Sequence, residues 1–396
     1  MQIFDVAVIG GGPSGASAAI TLTKLGYGVL IVDRAVFPRD KLCGDFINPV
    51  NWPILRELNV NQEVLTREHA EVRKFRLTAS NGTEAASSLP IYGAQKFGLG
   101  LRRYYLDHLL IERAKSDGAS IVEGARIKRL VKSAEGWVLE FEKAGELVSY
   151  RSKIIVGADG RNSWVARRLG VADIKRSWRE SVGFAIELKK KHGLDGSVEI
   201  HQFPGGYAGL VRVDRNTVNL CLTIERSCLR QSVSFEALRN LQLNQNPFLR
   251  DQLADAESCG DLRSVSPVYF PPRKCFGDGF LLVGDAARVT EPVTGEGIYF
   301  ALRSGQLAGK TIDGALRRKD TTSDCLRQYQ RACREEFRKR FRLNYLTRVL
   351  AHRPSLLSSL IRFSAKRRHL LDSMVKSVCT LDSRNGTHEQ SAEINS

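Results

Sequence analysis

Apolar residues follow two different rhythms along this chain. Residues 3–9 (IFDVAVI) form an almost continuous apolar run, the pattern of a strand buried on both faces. Ala16, Ala19, Ile20, Leu22 and Leu25 then recur at helical spacing and predict a helix over 13–26, stopped by Gly26. Val29-Leu30-Ile31-Val32 predicts a second buried strand. Strand, helix and strand together fill about 30 residues, the size of a βαβ unit.

An amphipathic helix is predicted from Arg103 to Lys115, with strands at Ser120–Glu123 and Val138–Glu142. Lys153–Val156 predicts a short strand ending at Gly157-Ala158-Asp159-Gly160. The rhythm then changes. Residues 182–188, 197–203, 207–213 and 217–224 have strand character and predict a separate antiparallel sheet, inserted between segments of the first unit. Phe280–Val283 returns to the buried type, followed by a helix from about Gly297 to Ile312. From Thr322 to Met374 the pattern is helical, broken near Pro354.

The 396 residues suffice for two to three domains and a large core. A net charge of +17 is the unusual feature and implies an anionic partner or surface. Residues 331–368 hold twelve Lys/Arg against two Asp/Glu, more than half of that surplus. Phe337, Phe341, Tyr345, Leu346, Leu356 and Phe363 are interleaved among them. Such a segment reads equally as an anionic-membrane surface or as a helical layer with a solvated basic face. No nucleic-acid module is present, which argues against nucleic acid as partner. The eight cysteines show no C-x-x-C pair and no zinc-ligand spacing, so no metal is expected and the thiols read as reduced and cytosolic. A strand begins almost at once, so no targeting peptide is expected, and no run of eighteen apolar residues predicts a membrane span. Residues from Asp382 on are polar and expected to fray.

Three motifs carry chemistry. Gly10-x-Gly12-x-x-Gly15 lies between a predicted strand and a predicted helix, where glycines let the backbone approach a pyrophosphate at a helix amino terminus. Ser14 belongs to the same loop. Asp33, at the end of the second strand and next to Arg34, is placed to accept from a ribose hydroxyl. Asp159-Gly160-Arg161-Asn162-Ser163-x-x-x-Arg167 follows another strand, and Gly284-Asp285-Ala286-Ala287 follows a third, with Pro292 and Gly295-Glu296-Gly297-Ile298 beyond. Either aspartate alone also fits a strand-end cap.

The three motifs in this order resemble the FAD-dependent family that contains aromatic hydroxylases, flavin-dependent halogenases and geranylgeranyl reductases. The resemblance runs from Asp5 to about Lys310. It implies an α/β fold: a Rossmann-like FAD-binding domain, an inserted antiparallel-sheet substrate domain and a C-terminal helical region. The implied segments are 1–75, 101–175 and 271–320 for FAD, 76–100 and 176–270 for substrate, 321–380 helical and 381–396 a flexible tail. The implied cofactor set is Gly10, Gly12, Ser14, Gly15, Asp33, Arg34, Cys43, Gly44, Arg103, Asp159, Gly284, Asp285, Gly295, Gly297 and Ile298. NAD(P)H or another reductant would supply electrons.

Phe37-Pro38-Arg39-x-Lys41-x-Cys43-Gly44 and Pro292-x-x-Gly295-Glu296-Gly297-Ile298 are similar to the geranylgeranyl and menaquinone reductase branch. Hydroxylases more often carry Gln where Glu296 stands, and the halogenase Trp-x-Trp-x-Ile-Pro motif is absent from the sequence. The branch implies a lipophilic substrate and candidate catalytic residues Cys43 and Tyr207. Tyr207 keeps the first position of the reductases' Tyr-x-Trp-x-Phe-Pro element, but Gly209 and Val211-Arg212 replace the rest. Three functions stay open here: reduction of a carbon–carbon double bond in an isoprenoid, quinone or polyketide-like molecule, oxygen-dependent hydroxylation of an aromatic or polyketide-like compound, and a redox-silent membrane scaffold. The expected location is the cytoplasm, or the inner face of a membrane.

Overall fold

The computed structural model describes residues 2–90, 97–172, 180–229 and 234–380. The tail expected at 381–396 lies outside the described residues.

The first sheet is built on the apolar runs. Ile3–Ile9 pairs in parallel with Val29–Val32 on one side and with Glu146–Gly157 on the other. Ser120–Val122 continues the parallel order beyond Val29–Val32, and Phe280–Leu282 beyond Glu146–Gly157. Val6, Ala7 and Val8 are fully buried, as a strand covered on both faces requires. The helix Pro13–Lys24 covers this sheet, and the helix Gly297–Arg317 packs against that helix.

One expected strand is much longer than its apolar run. Lys153–Val156 is only the end of Glu146–Gly157. The first half pairs antiparallel with Gly136–Lys143 through a hairpin at Ala144-Gly145, both with positive φ. That half is exposed at Glu146 and Leu147 and half-buried from Val148 to Arg151, so it lacks the buried run that marks the second half.

The second sheet runs in the order Glu257–Ser258, Ser181–Lys189, Thr217–Glu225, Gly206–Arg212, Ser197–Phe203, Lys74–Thr78, Glu84–Ser88. Its four central strands are those expected, and they pair antiparallel. Lys74–Thr78 joins Ser197–Phe203 in parallel and was not expected as a strand. Period-two alternation splits the sheet into two faces. Ala208, Leu210, Leu220 and Leu222 share a core with the helices Phe235–Leu241 and Pro247–Leu253. The opposite face presents Val198, Ile200, Tyr207, Gly209 and Val211 to a cavity.

Beyond Thr322 the chain is helical, as expected: Ser323–Ala351, Pro354–Lys366 and Arg368–Cys379. The break falls at Pro354, whose ring cannot continue the preceding helix. Leu357, Ile361, Leu371, Val375 and Cys379 from the last two helices join Val72, Ala85, Leu89, Val198 and Val211 in one apolar cluster. Among the described residues, no helix is long and apolar enough to cross a membrane.

Candidate active site

A cavity of about 1070 Å³ lies between the two sheets and the last helices, at the upper end of the range for small-molecule sites. Gly10, Gly12, Ser14, Asp33, Arg34, Cys43, Gly44, Arg103, Asp159, Tyr207, Asp285, Gly295, Gly297 and Ile298 all line it. Gly15 and Gly284 stand just behind. A Cβ on Gly15 would lie 1.9 Å from the Gly10 carbonyl oxygen, and one on Gly284 would lie 2.6 Å from Ser14 Oγ. Gly10 has φ +106°, and a side chain there would strike Ala158 O at 2.4 Å. The loop is therefore a cradle that only glycine permits.

At this end the fit to a dinucleotide is specific. The helix Pro13–Lys24 begins with Gly12 as cap and no side-chain acceptor, so its first amides are open to an anion. Above Gly12 stands Arg39, whose Nη2 would lie 3.7 Å from a Cβ there. Arg39 Nη2 pairs with Asp107 at 3.1 Å, while its Nη1 is buried without a hydrogen-bond partner. An orphaned guanidinium nitrogen beside a helix amino terminus suits a phosphate oxygen. Sequence reasoning quoted Arg39 inside a motif but did not place it at the cofactor. Asp33 is braced inward: Oδ2 accepts from Gly11 N at 2.6 Å and Oδ1 from Ala35 N at 2.8 Å.

Asp159 is engaged as a cap. It accepts from Ser163 Oγ at 2.5 Å, Trp164 N at 2.6 Å and Val165 N at 3.1 Å, holding the helix Trp164–Arg168. Asp285 meets Arg161 at 3.4 Å. Gly295 is left-handed at φ +62°, and the helix Gly297–Arg317 opens after Glu296 without a side-chain cap. Its amino terminus thus offers partial positive charge to the cavity, where it would stabilise the negative charge that a flavin ring gains on reduction. Glu296 itself turns away and pairs with Arg340 Nη1 at 2.5 Å.

Cys43 is half-buried in the wall, and burial lifts its thiol above the ordinary range while Arg103 pulls it back. It therefore keeps its proton at neutral pH. Arg103 forms a fork with Asp107 at 2.5 and 2.7 Å, and its backbone amide donates to Asp45 at 3.1 Å. Burial pushes the Asp45 carboxyl up to about 7 against the pull of Asn219 and Arg103. Tyr207 is buried, with its hydroxyl donating to Glu291 Oε1 at 2.5 Å. Burial raises its ionisation well above the ordinary range, and the Glu291 charge raises it further. Asp45 and Glu291 were missed from sequence. Each adjoins a recognised motif residue, Gly44 and Pro292, and that adjacency was the available signal. No cluster of possible metal ligands occurs among the described residues.

Residues 4–192 match the family model described as FAD binding domain. Digeranylgeranylglycerophospholipid reductase 2 of Methanopyrus kandleri is 30% identical over 86% of this chain and 84% of its own length. Menaquinone reductase of Mycobacterium tuberculosis is 28% identical over 78% of this chain and 76% of its own length. The solved structure of the flavin-dependent brominase Bmp2 superposes with a TM-score of 0.80 at 19% identity, covering 97% of this chain and 95% of the other. That last likeness is one of fold.

Proposed function

We propose a lipid-directed reductase function for this chain, which belongs to the FAD-dependent oxidoreductase family of the digeranylgeranylglycerophospholipid and menaquinone reductases. It is an FAD-dependent enzyme. Its substrate, in this reading, is a lipophilic isoprenoid, quinone or polyketide-like molecule whose carbon–carbon double bond is reduced. Bound FAD supplies the hydride, drawn from NAD(P)H or another reductant.

The observation that carries the reading is the apolar arm of the cavity. It runs from Tyr207 between Phe75, Leu77, Val198 and Ile200 on the sheet and Leu357 and Ile361 on the terminal helices. Such a wall suits a hydrocarbon and offers few polar partners to orient a polar compound. Gly209 contributes to the space: where the related element carries an aromatic residue, a Cβ here would meet Ile200 Cδ1 at 3.4 Å and nothing closer.

The chain's own residues then divide the work. Arg39 and the glycine loop would hold the pyrophosphate of FAD, and the amino terminus of Gly297–Arg317 would stabilise the negative charge of its reduced ring. Tyr207 and Cys43, both protonated at neutral pH, are two acids on the cavity wall. Protonation of the second carbon needs one such group.

A membrane is the proposed source of substrate. Tyr345, Leu346, Leu356, Phe363 and Leu370 are exposed on the last three helices, beside exposed Arg342, Arg353, Arg362 and Arg367. The opposite faces of the last two helices line the apolar arm. Exposed apolar and basic groups on these helices suit an anionic bilayer. The protein would then work at the cytoplasmic face.

The deciding experiment screens purified FAD-loaded protein, its flavin first reduced with dithionite, against menaquinone, digeranylgeranylglycerophospholipid and aromatic compounds, with and without oxygen. Anaerobic consumption of a lipid double bond is expected. A requirement for O₂ with a hydroxylated product would replace this reading with a monooxygenase. Tyr207→Phe should slow the reduction more than Cys43→Ala, because Tyr207 has a carboxyl directly behind it.

A further inference from the structure

We propose that Asn219 and Asp45 are positioning residues for Cys43, and that through them the second sheet holds the thiol in the cavity wall. The proposal deepens the reductase reading, on which it rests for its chemistry, by naming what places one of the two acids.

Asn219 and Cys221 stand two residues apart on the strand Thr217–Glu225 and so share a face of the sheet. Their partners across the ladder are Val211 and Gly209, both on the cavity wall. Both side chains reach one atom of the cofactor-side loop, the carbonyl oxygen of Cys43. Asn219 Nδ2 donates to it at 3.1 Å and Cys221 Sγ at 2.9 Å. The same Asn219 nitrogen also donates to Asp45 Oδ2. The amide oxygen of Asn219 lies 3.5 Å from Cys221 Sγ, so the nitrogen is the end that faces the loop.

Asp45 is buried and has φ +52°, a left-handed conformation that costs energy in a residue with a side chain. Three contacts hold it there. Its backbone oxygen accepts from Leu101 N at 2.8 Å, its Oδ1 from Arg103 N at 3.1 Å, and its Oδ2 from Asn219. The segment that supplies these amides is itself tied to the second sheet. Arg102 bonds to Glu187 at 2.8 Å, and Glu187 pairs in register with Asn219. Cys43 thus sits in a loop whose fixed points converge on one strand.

The same strand serves the other acid. Thr223, the next residue on that face, lies opposite Tyr207. The anchor of Cys43 at Cys221 and the partner of Tyr207 at Thr223 are then about 7 Å apart along the strand. Charge adds to placement. The charged groups around the junction are Asp45 and Arg103, with Glu187 beside Asn219 and Arg263 facing Cys221. Burial raises the Cys43 thiol, Arg103 lowers it and the Asp45 charge raises it. An ionised Asp45 therefore accepts both side-chain hydrogen bonds that fix the loop and keeps the proton on the thiol, the form that can serve as an acid.

The first test reads the thiol directly. FAD-loaded full-length protein is treated with iodoacetamide across a range of pH, and modification of the Cys43 peptide is followed by mass spectrometry. Asn219→Ala, which frees the loop, is expected to raise the rate about tenfold, the size of one lost hydrogen bond. Asp45→Asn removes the charge, keeps a side chain that tolerates positive φ, and is expected to move the midpoint of the pH profile down by about one unit. A merely structural role would change the rate and leave that midpoint in place. An unchanged rate in Asn219→Ala, an unmoved midpoint in Asp45→Asn, or no modification in any of the proteins overturns the proposal. A second arm mixes reduced protein, freed of excess dithionite, with menaquinone and with digeranylgeranylglycerophospholipid in the absence of oxygen. Asn219→Ala is expected to slow loss of the lipid double bond as much as Cys43→Ala, and the double variant no further. A double variant slowed by the product of the two effects shows that Asn219 does not act through Cys43 and overturns the proposal. Wild-type protein that reduces neither lipid counts against the reductase reading and leaves the alkylation result standing.

Discussion

Arg340 reaches from the long C-terminal helix to Glu296, at the mouth of the cofactor-facing helix, and closes a buried ion pair at 2.5 Å. The same guanidinium donates to Val378 O at 2.9 Å on the last helix. One side chain therefore ties three helices around the cavity. Glu296→Ala leaves the buried Arg340 charge without this carboxylate, keeping only backbone carbonyls as hydrogen-bond partners. A loss of about 3–5 kcal/mol is expected, read as a lower denaturation midpoint. Glu296→Gln, able to keep one hydrogen bond, should lose less.

Arg39 should matter for the cofactor rather than the fold. Removing a charge-assisted bond to phosphate costs about 1.5–3 kcal/mol, or roughly 10- to 100-fold in Kd. Arg39→Ala should show that weakening in a flavin-fluorescence titration. Asp107 keeps its fork to Arg103, so the thermal midpoint without FAD should barely move. Equal FAD affinity would remove Arg39 from the site.

Asp45 makes stability depend on pH with a definite sign. Its folded carboxyl titrates at about 7, above its ordinary 3.8. The folded chain thus binds more protons than the unfolded chain between those values. Its contribution is complete below the ordinary carboxyl range and fades as pH rises through about 7. The span corresponds to up to about 4 kcal/mol. Denaturant titrations at pH 4 and pH 7 should differ less in Asp45→Asn than in wild type. An unchanged difference would assign the pH dependence elsewhere.

Gly209→Trp should fill the space beside Ile200. Uptake of a branched lipid is expected to weaken at least tenfold in KM, with FAD affinity unchanged. Identical kinetics on long and short substrates would show that the arm is not the substrate channel.

The outer face of the last helices is testable by flotation with anionic liposomes. Leu356→Asp and Phe363→Asp should each reduce recovery about tenfold, since burying such a side chain is worth about 1.5–3 kcal/mol. Salt should weaken binding further. Retention of both variants at wild-type levels would exclude this face.

Much of this architecture was legible because buried parallel strands leave unbroken apolar runs. Ile3–Ile9 and Val29–Val32 are of that kind. Lys74–Thr78 and Glu84–Ser88 escaped because their residues alternate in short stretches, with polar neighbours that a half-exposed hairpin tolerates. The glycine loop was readable because its backbone requirement excludes other residues. Glu291 and Asp45 were not, since a carboxylate acquires its chemistry from burial, and burial depends on chain segments far away. The basic helices divided: Arg340 and Arg348 turned inward to Glu296 and Glu291, while Arg342, Arg353 and Arg362 stayed outside.

The cavity wall is drawn from both ends of the chain, from Ile9 to Cys379. Its ligand therefore reads the completeness of folding. A molecule that binds only the finished chamber stabilises it by mass action, about 2.7 kcal/mol at a hundredfold excess over Kd. The supply of flavin during synthesis would then set how much of this protein survives to work, so that flavin acts on its abundance before it acts on its turnover.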